Sequence, residues 1–302
     1  MDEKYLDQAK LVLKILSFLS SYPQFALKGG TAINFFIRQF PRLSVDIDLA
    51  YLPISDRPET LTAISDILTR LTADITKKYP DYLIQPKKLE NKTIALRISD
   101  RNVTIKVEPN LIIRGSVFDS EVLQLNETAE EELKLFVSAR CLSVADLYGG
   151  KICAALDRQH PRDLFDVKLL LENEGITTQI RQAFIVYLMS HSRPIAELLV
   201  PNLLKIESLF KTEFNGMTRI PVSIEELEQT RENLLDILKQ ELTDREKQFI
   251  LSFKQGKPIW EYFPVDGIEH LPAIQWKLFN IRRMPKSKHS AALDKLKEIL
   301  II

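Results

Sequence analysis

Two glycines followed by two spaced aspartates constrain this chain more than any other feature of its 302 residues. Leu27-Lys28-Gly29-Gly30-Thr31-Ala32 leads into a short apolar run, and then comes Ser44-Val45-Asp46-Ile47-Asp48-Leu49. The glycine pair predicts a tight turn from a strand into a helix, where backbone freedom and close approach are needed. Val45, Ile47 and Leu49 alternate with Asp46 and Asp48, which predicts a strand with one buried face, because residues i and i+2 share a side. The two carboxylates then project together while the aliphatic residues enter a core.

Neighbouring carboxylates repel unless something positive stands between them. Mg²⁺ suits that place, since one or two carboxylates plus substrate phosphates commonly hold it. The Gly29-Gly30-Thr31 turn offers backbone N–H groups and a helix start to those phosphates, with the Thr31 hydroxyl beside them. The plainer alternatives are an ordinary turn with Thr31 as N-cap, and two harmless aspartates on a wet strand face. A third carboxylate, Glu108, lies on a strand where Val103, Ile105 and Val107 alternate with Thr104, Lys106 and Glu108. If that strand neighbours the aspartate strand, Glu108 completes a site for two ions about 4 Å apart. Otherwise it is a solvated glutamate beside Lys106.

Composition narrows the classes. With 45% apolar and 27% charged residues, the chain is expected to be an ordinary globular protein. A net charge of zero excludes a global basic field that would draw it onto nucleic acid. Cys141 and Cys153 lie in helical-looking sequence without a disulfide framework, and the start Met1-Asp2-Glu3 has no signal-peptide character. Both fit a reducing cytoplasm. The four histidines show no zinc spacing, and no apolar run approaches the roughly 18 residues of a membrane span.

Periodicity predicts helices over residues 5–19, 32–40 and 59–78, and strands over 25–28, 45–52, 82–89, 93–99 and 103–113. The order β-α-β-α-β-β-β describes a mixed α/β core over residues 1–125. From 126 to 302 strand signals fade, and a mostly helical domain is expected. Ser143 and Asp146 fit a capping box for a helix to about residue 157. Pro161 opens another over 161–172, ended by Asn173 and Gly175.

Charged residues concentrate over 151–166. Lys151 can act as a point charge toward polyphosphate. Arg162 and Asp166 are i,i+4, and Asp163 and Asp166 are i,i+3, which also describes ordinary helix pairs. Farther on, Lys277, Arg282, Arg283, Lys286 and Lys288 surround Trp276 and Phe279. That patch reads either as a hold for an RNA backbone or as a solvated surface.

Leu27 to Ala32, with Arg42 to Leu49, resembles the first motif of the AbiEii/AbiGii nucleotidyltransferase toxins, a family that includes the MenT toxins and falls within the DNA polymerase β-like superfamily. Lys151, followed by Arg162-Asp163-Leu164-Phe165-Asp166, resembles the family's later motifs. The resemblance spans residues 25–175. It implies an α/β (α+β) nucleotidyltransferase-type mixed sheet followed by the helical domain. It implies Mg²⁺ on Asp46 and Asp48, nucleotide held at Gly29, Gly30, Thr31 and Ser44, phosphate contact by Lys151, an essential Asp166 and a supporting Asp163. Glu108 has no counterpart in these motifs. The expected activity is transfer of a nucleotide from an NTP, within a toxin–antitoxin or abortive-infection system, to an acceptor such as a tRNA 3′ end. A cognate antitoxin is an expected partner and no membrane is. Transfer to a small molecule or protein, and NTP binding without turnover, are the competing readings.

Overall fold

The computed structural model describes residues 1–301; Ile302, the last residue of the expected helical region, lies outside the described residues. The chain divides into two units. The first comprises Met1–Leu147 together with the returning segment Phe214–Pro221, and the second the remainder.

The first unit opens with α1 (Glu3–Leu19), whose buried Ala9, Val12, Leu13 and Leu16 recur at helical spacing. Strand β1 (Phe25–Lys28) runs into α2 (Gly29–Ala32), which continues as a π-helical turn over Ile33–Ile37. The helix therefore starts at the glycine pair, earlier than residue 32. Then come β2 (Ile47–Tyr51), α3 (Arg57–Lys78), β3 (Leu83–Leu89), β4 (Lys92–Ser99) and β5 (Thr104–Asn110). The Asp56 carboxylate caps α3, accepting from the Glu59 amide at 2.8 Å. β5 stops at Asn110 because its side-chain oxygen accepts from the Ile112 and Ile113 amides and turns the chain. β6 (Glu121–Gln124), α4 (Glu127–Leu133) and β7 (Ser138–Cys141) complete the unit.

The sheet order is β3-β4-β5-β2-β1-β7-β6. β2 pairs antiparallel with β1 and parallel with β5; β7 runs parallel to β1. α1 packs against α3, β5 and β7, and α3 lies on β4, so these two long helices cover one face.

The first unit thus extends past residue 125. β7 belongs to the sheet, in register Leu27↔Cys141, and Cys141 lies on a strand and not on a helix. The chain also comes back to this unit. The Leu43 amide donates to Met217 O at 2.8 Å, the Arg219 amide to Pro41 O at 2.9 Å, and Phe214 and Met217 are buried. Ser143 and Asp146 are engaged with each other as the capping expectation has it, the Ser143 hydroxyl donating to Asp146 Oδ2 at 2.7 Å. The Asp146 amide donates to Ser143 Oγ, and the Asp146 carboxylate also accepts from the Val117 and Phe118 amides, both at 2.9 Å.

α5 (Val144–Arg158) carries the chain into the second unit, which is helical throughout: α6 (Pro161–Glu172), α7 (Thr178–Ser190), α8 (Ile195–Leu199), α9 (Glu207–Glu213), α10 (Ile224–Glu241), α11 (Asp244–Lys254), α12 (Pro272–Arg282) and α13 (Lys286–Leu300). α7 is buried nearly all round, as the central helix of a packed unit must be. Capping boxes at Ser223 and Thr243 start α10 and α11. Both cysteines are buried free thiols, and among the described residues no helix is long and apolar enough to cross a membrane.

Candidate active site

The elbow between β1 and α2 is built around Gly29, whose φ of +70° is left-handed backbone that glycine takes up most readily. A β-carbon there would stand 2.8 Å from Asp48 Oδ2. One at Gly30 would stand 2.5 Å from Arg42 Nη2 and 3.1 Å from Ser44 Oγ. Gly29 is favoured by its backbone angle, and at both glycines the Asp48, Arg42 or Ser44 side-chain ends lie close enough that a β-carbon would displace them. Among the described residues no side chain caps the start of α2.

Thr31 is buried, and its hydroxyl donates to Asp46 O at 2.5 Å and lies 2.9 Å from Ser44 Oγ. Thr31 and Ser44 thus tie the elbow to the entry of β2. The same tie explains why β2 begins at Ile47 and not at 45: the Asp46 carbonyl serves Thr31. The π turn behind the elbow is closed by Asn126, whose side-chain amide donates to Phe35 O at 2.8 Å and Arg38 O at 2.7 Å.

Ile47, Leu49 and Val107 are fully buried, so Asp48 and Glu108 take the opposite face of the sheet. Register places Lys28, Asp48 and Glu108 side by side across β1, β2 and β5. Asp46 and Asp48 are both half-buried. Asp48 thus stands between the cationic Lys28 on one side and the like-charged Glu108 on the other, and the Lys28 charge offsets part of the repulsion that a bound cation would relieve further. The donor set suits Mg²⁺: hard carboxylate oxygens, two from one strand entry, against a glycine elbow that leaves room for phosphate. Among the described residues no three His, Cys, Asp or Glu side chains gather closely enough to enclose a metal by themselves. Two carboxylates completed by substrate oxygens match that arrangement better than an all-protein cage.

Arg42 opens the second half of the elbow-and-aspartate motif without an assigned role. Its side chain is 2% exposed, packs against Gly30 and donates to Leu43 O at 2.8 Å. The available signal was a lone basic residue inside the otherwise apolar run Phe40-Pro41-Arg42-Leu43.

In the second unit, α5 and α6 bring Lys151 together with Asp163 and Asp166. Lys151 Nζ lies 2.7 Å from Asp163 Oδ1 and 3.0 Å from Asp166 Oδ2, and all three side chains are buried. Arg158 adds a two-pronged contact to Asp163, at 2.5 and 3.0 Å. Burial pushes the Asp163 carboxyl up, but the charges of Lys151 and Arg158 override it and hold the group well below its ordinary range. Asp163 is thus the anchor of a buried charge cluster. Asp166 is engaged by Lys151, while Arg162, its expected i,i+4 partner, reaches Glu213 at 3.7 Å. Pro161 and the His160 ring, which accepts from the Arg162 amide at 3.1 Å, fix where α6 begins.

The glycine elbow thus stands next to the aspartate motif at one end of a mixed sheet. The sequence model of the nucleotidyl transferase AbiEii toxin family, a type IV toxin–antitoxin system, matches residues 11–280, and the chain belongs to that family. It is accordingly a nucleotidyltransferase of the toxin class. The nucleotidyltransferase toxin MenT4 from Mycobacterium tuberculosis H37Rv shares the fold at a TM-score of 0.61 and 14% identity, over 97% of this chain and 93% of that one. JHP933 from Helicobacter pylori aligns at a TM-score of 0.44 and 17% identity, over 80% of this chain and 96% of that one. Terminal uridylyl transferase 4 from Trypanosoma brucei, solved with bound GTP, aligns at a TM-score of 0.30 and 12% identity, over 96% and 92%. No curated protein matches the chain significantly.

Proposed function

We propose that this chain transfers a nucleoside monophosphate from an NTP to an acceptor hydroxyl, and that the acceptor is the 3′ end of a tRNA. The acceptor oxygen bonds to the α-phosphorus, the bond from that phosphorus to the bridging oxygen breaks, and pyrophosphate leaves. Asp46 and Asp48 would hold Mg²⁺, with Glu108 beside them in register. When bound, the ion neutralises charge building on the phosphates. The Gly29 and Gly30 backbone orients the polyphosphate, and Thr31 and Ser44 keep that backbone in place. The remainder of the catalysis is positioning.

Lys151 and Asp166 are assigned to the same reaction on the family motif. That motif assigns Lys151 to the nucleotide phosphates; its ammonium is held by Asp163 and Asp166. Asp166 positions or deprotonates the acceptor hydroxyl. As a member of a type IV toxin family, the enzyme is opposed by a cognate antitoxin, and it works in the cytoplasm.

The observation that carries this reading is the Asp48 carboxylate oxygen 2.8 Å from the missing β-carbon of Gly29. The test is incubation with α-³²P-labelled NTPs and separate RNA, protein and small-molecule pools. Label is expected in the RNA pool, at tRNA size, and lost to background in Asp46→Ala with the thermal transition unchanged. Full transfer by Asp46→Ala would refute the assignment. The net charge of zero supports a second reading, in which the acceptor is a small molecule or a protein. Label appearing only in those pools would select it.

A further inference from the structure

The buried elements of α12 leave its opposite face unusual. Ala273, Ile274, Leu278 and Ile281 enter the core of the second unit, whereas Trp276 is 62% and Phe279 44% exposed. The two rings stack on each other, centroids 5.6 Å apart and planes 18° from parallel. Arg283 lays its guanidinium 4.6 Å from the centroid of the Phe279 ring. Positions 276, 279 and 283 fall on one helix face.

Charge around this face is one-sided. Residues 270–293 contain five Lys and Arg and no Asp or Glu, in a chain whose net charge is zero. Arg282, Arg283, Lys286 and Lys288 are exposed. Lys277 is not part of the surface, since its ammonium donates to the carbonyls of His191 and Arg193 at 2.5 and 2.8 Å. Lys286 and Lys288 stand in the first turn of α13, which has no acidic residue there and no side-chain cap. Cations at a helix start oppose the helix dipole, so their presence costs stability unless an anion is held there.

Exposed aromatic rings with cations at their margin match one ligand chemistry closely. Single-stranded nucleic acid offers base faces to stack and phosphates to neutralise. A duplex hides its base faces, and an apolar peptide has no use for the cations. We propose that the Trp276–Phe279–Arg283 face of α12, with the start of α13, docks single-stranded RNA. The choice of RNA over DNA rests on the acceptor proposed above; the stacking and charge do not.

The test is fluorescence anisotropy of a labelled single-stranded oligoribonucleotide, titrated with the full chain in EDTA and without NTP. Stacking of one base on an aromatic side chain predicts that Trp276→Ala weakens binding about 5- to 150-fold. In a Trp260→Phe background, emission from Trp276 is expected to be quenched as RNA binds. Arg283→Gln and Lys286→Gln are expected to flatten the salt dependence. Thermal transitions of the variants are expected to match the parent, because these side chains are outside the core. Unchanged RNA affinity in Trp276→Ala overturns the proposal. So does self-association of the parent, without RNA, that Trp276→Ala abolishes, or capture of an antitoxin protein through this face. The two readings separate cleanly. RNA binding lost in the variants with no RNA ever labelled leaves the dock standing and removes the acceptor. RNA labelled with unchanged KM by Trp276→Ala does the reverse.

Discussion

A β-carbon added at Gly29 meets the Asp48 carboxylate, and its φ of +70° adds strain for any other residue. Left-handed backbone costs about 1–2 kcal/mol. Gly29→Ala is therefore expected to lose about that much stability in urea unfolding, and to lose far more transfer activity than the stability change explains. At Asp163 the consequence is a pH dependence. Its folded carboxyl titrates below the ordinary 3.8, so its contribution is complete above that value and is lost as the pH falls below it. Thermal scans from about pH 6 down to pH 3 are expected to fall more steeply for the wild type than for Asp163→Asn. Equal slopes would show that the cluster is not ionised as drawn. At pH 7 the same substitution, which leaves the buried Lys151 poorly balanced, is expected to cost about 3–5 kcal/mol. The paired aspartates were legible because a period of two sorts acids from aliphatics without further knowledge. The burial of Arg42 and Lys151 was not, since a sequence states a charge but not whether neighbours will enclose it.

Elements show how two identical letters differ in space. Gly149 and Gly150 are adjacent in α5. A β-carbon at Gly149 would lie 2.7 Å from the Phe184 amide nitrogen, where α5 and α7 meet backbone to backbone. At Gly150 the nearest atom is the edge of the Tyr187 ring, at 3.4 Å. Gly149→Ala is expected to destabilise by about 1–3 kcal/mol, because two helices must part. Gly150→Ala is expected to be neutral or to gain up to about 1 kcal/mol from helix propensity. Chemical denaturation of the pair measures both signs. Helices announce themselves by long periods, and 161–172 was read to the residue for that reason, helped by Pro161 and Asn173. β7 escaped because four residues, Ser138-Ala139-Arg140-Cys141, are too few to display any period. Its place is set by pairing with β1, far away in sequence.

For the whole molecule, the boundary read at 125 misses what only contacts reveal: β6, α4 and β7 remain with the sheet, and Phe214–Pro221 rejoins it. Composition shifts mark where helices begin to dominate, but a returning segment of eight residues leaves no such mark. A chain ending at residue 147 lacks buried Phe214 and Met217 and leaves the Leu43 amide without Met217 O. Such a fragment is expected to show weak protection of the β1 and β2 amides in hydrogen exchange, where the intact protein protects them strongly. Equal protection would make the returning segment dispensable.

That return also sets an order of events during synthesis. The ribosome delivers the aspartate strand early, but the piece that clasps Pro41 and Leu43 leaves it only after all of α5 to α9 has been made. At about 5–20 residues per second, the 169 residues from Asp48 to Met217 take about 8–34 s, and the first unit stays unfinished for that time. Protection of the β1–β2 end of the sheet is therefore expected to appear on nascent chains only once Met217 and Arg219 have cleared the ribosome.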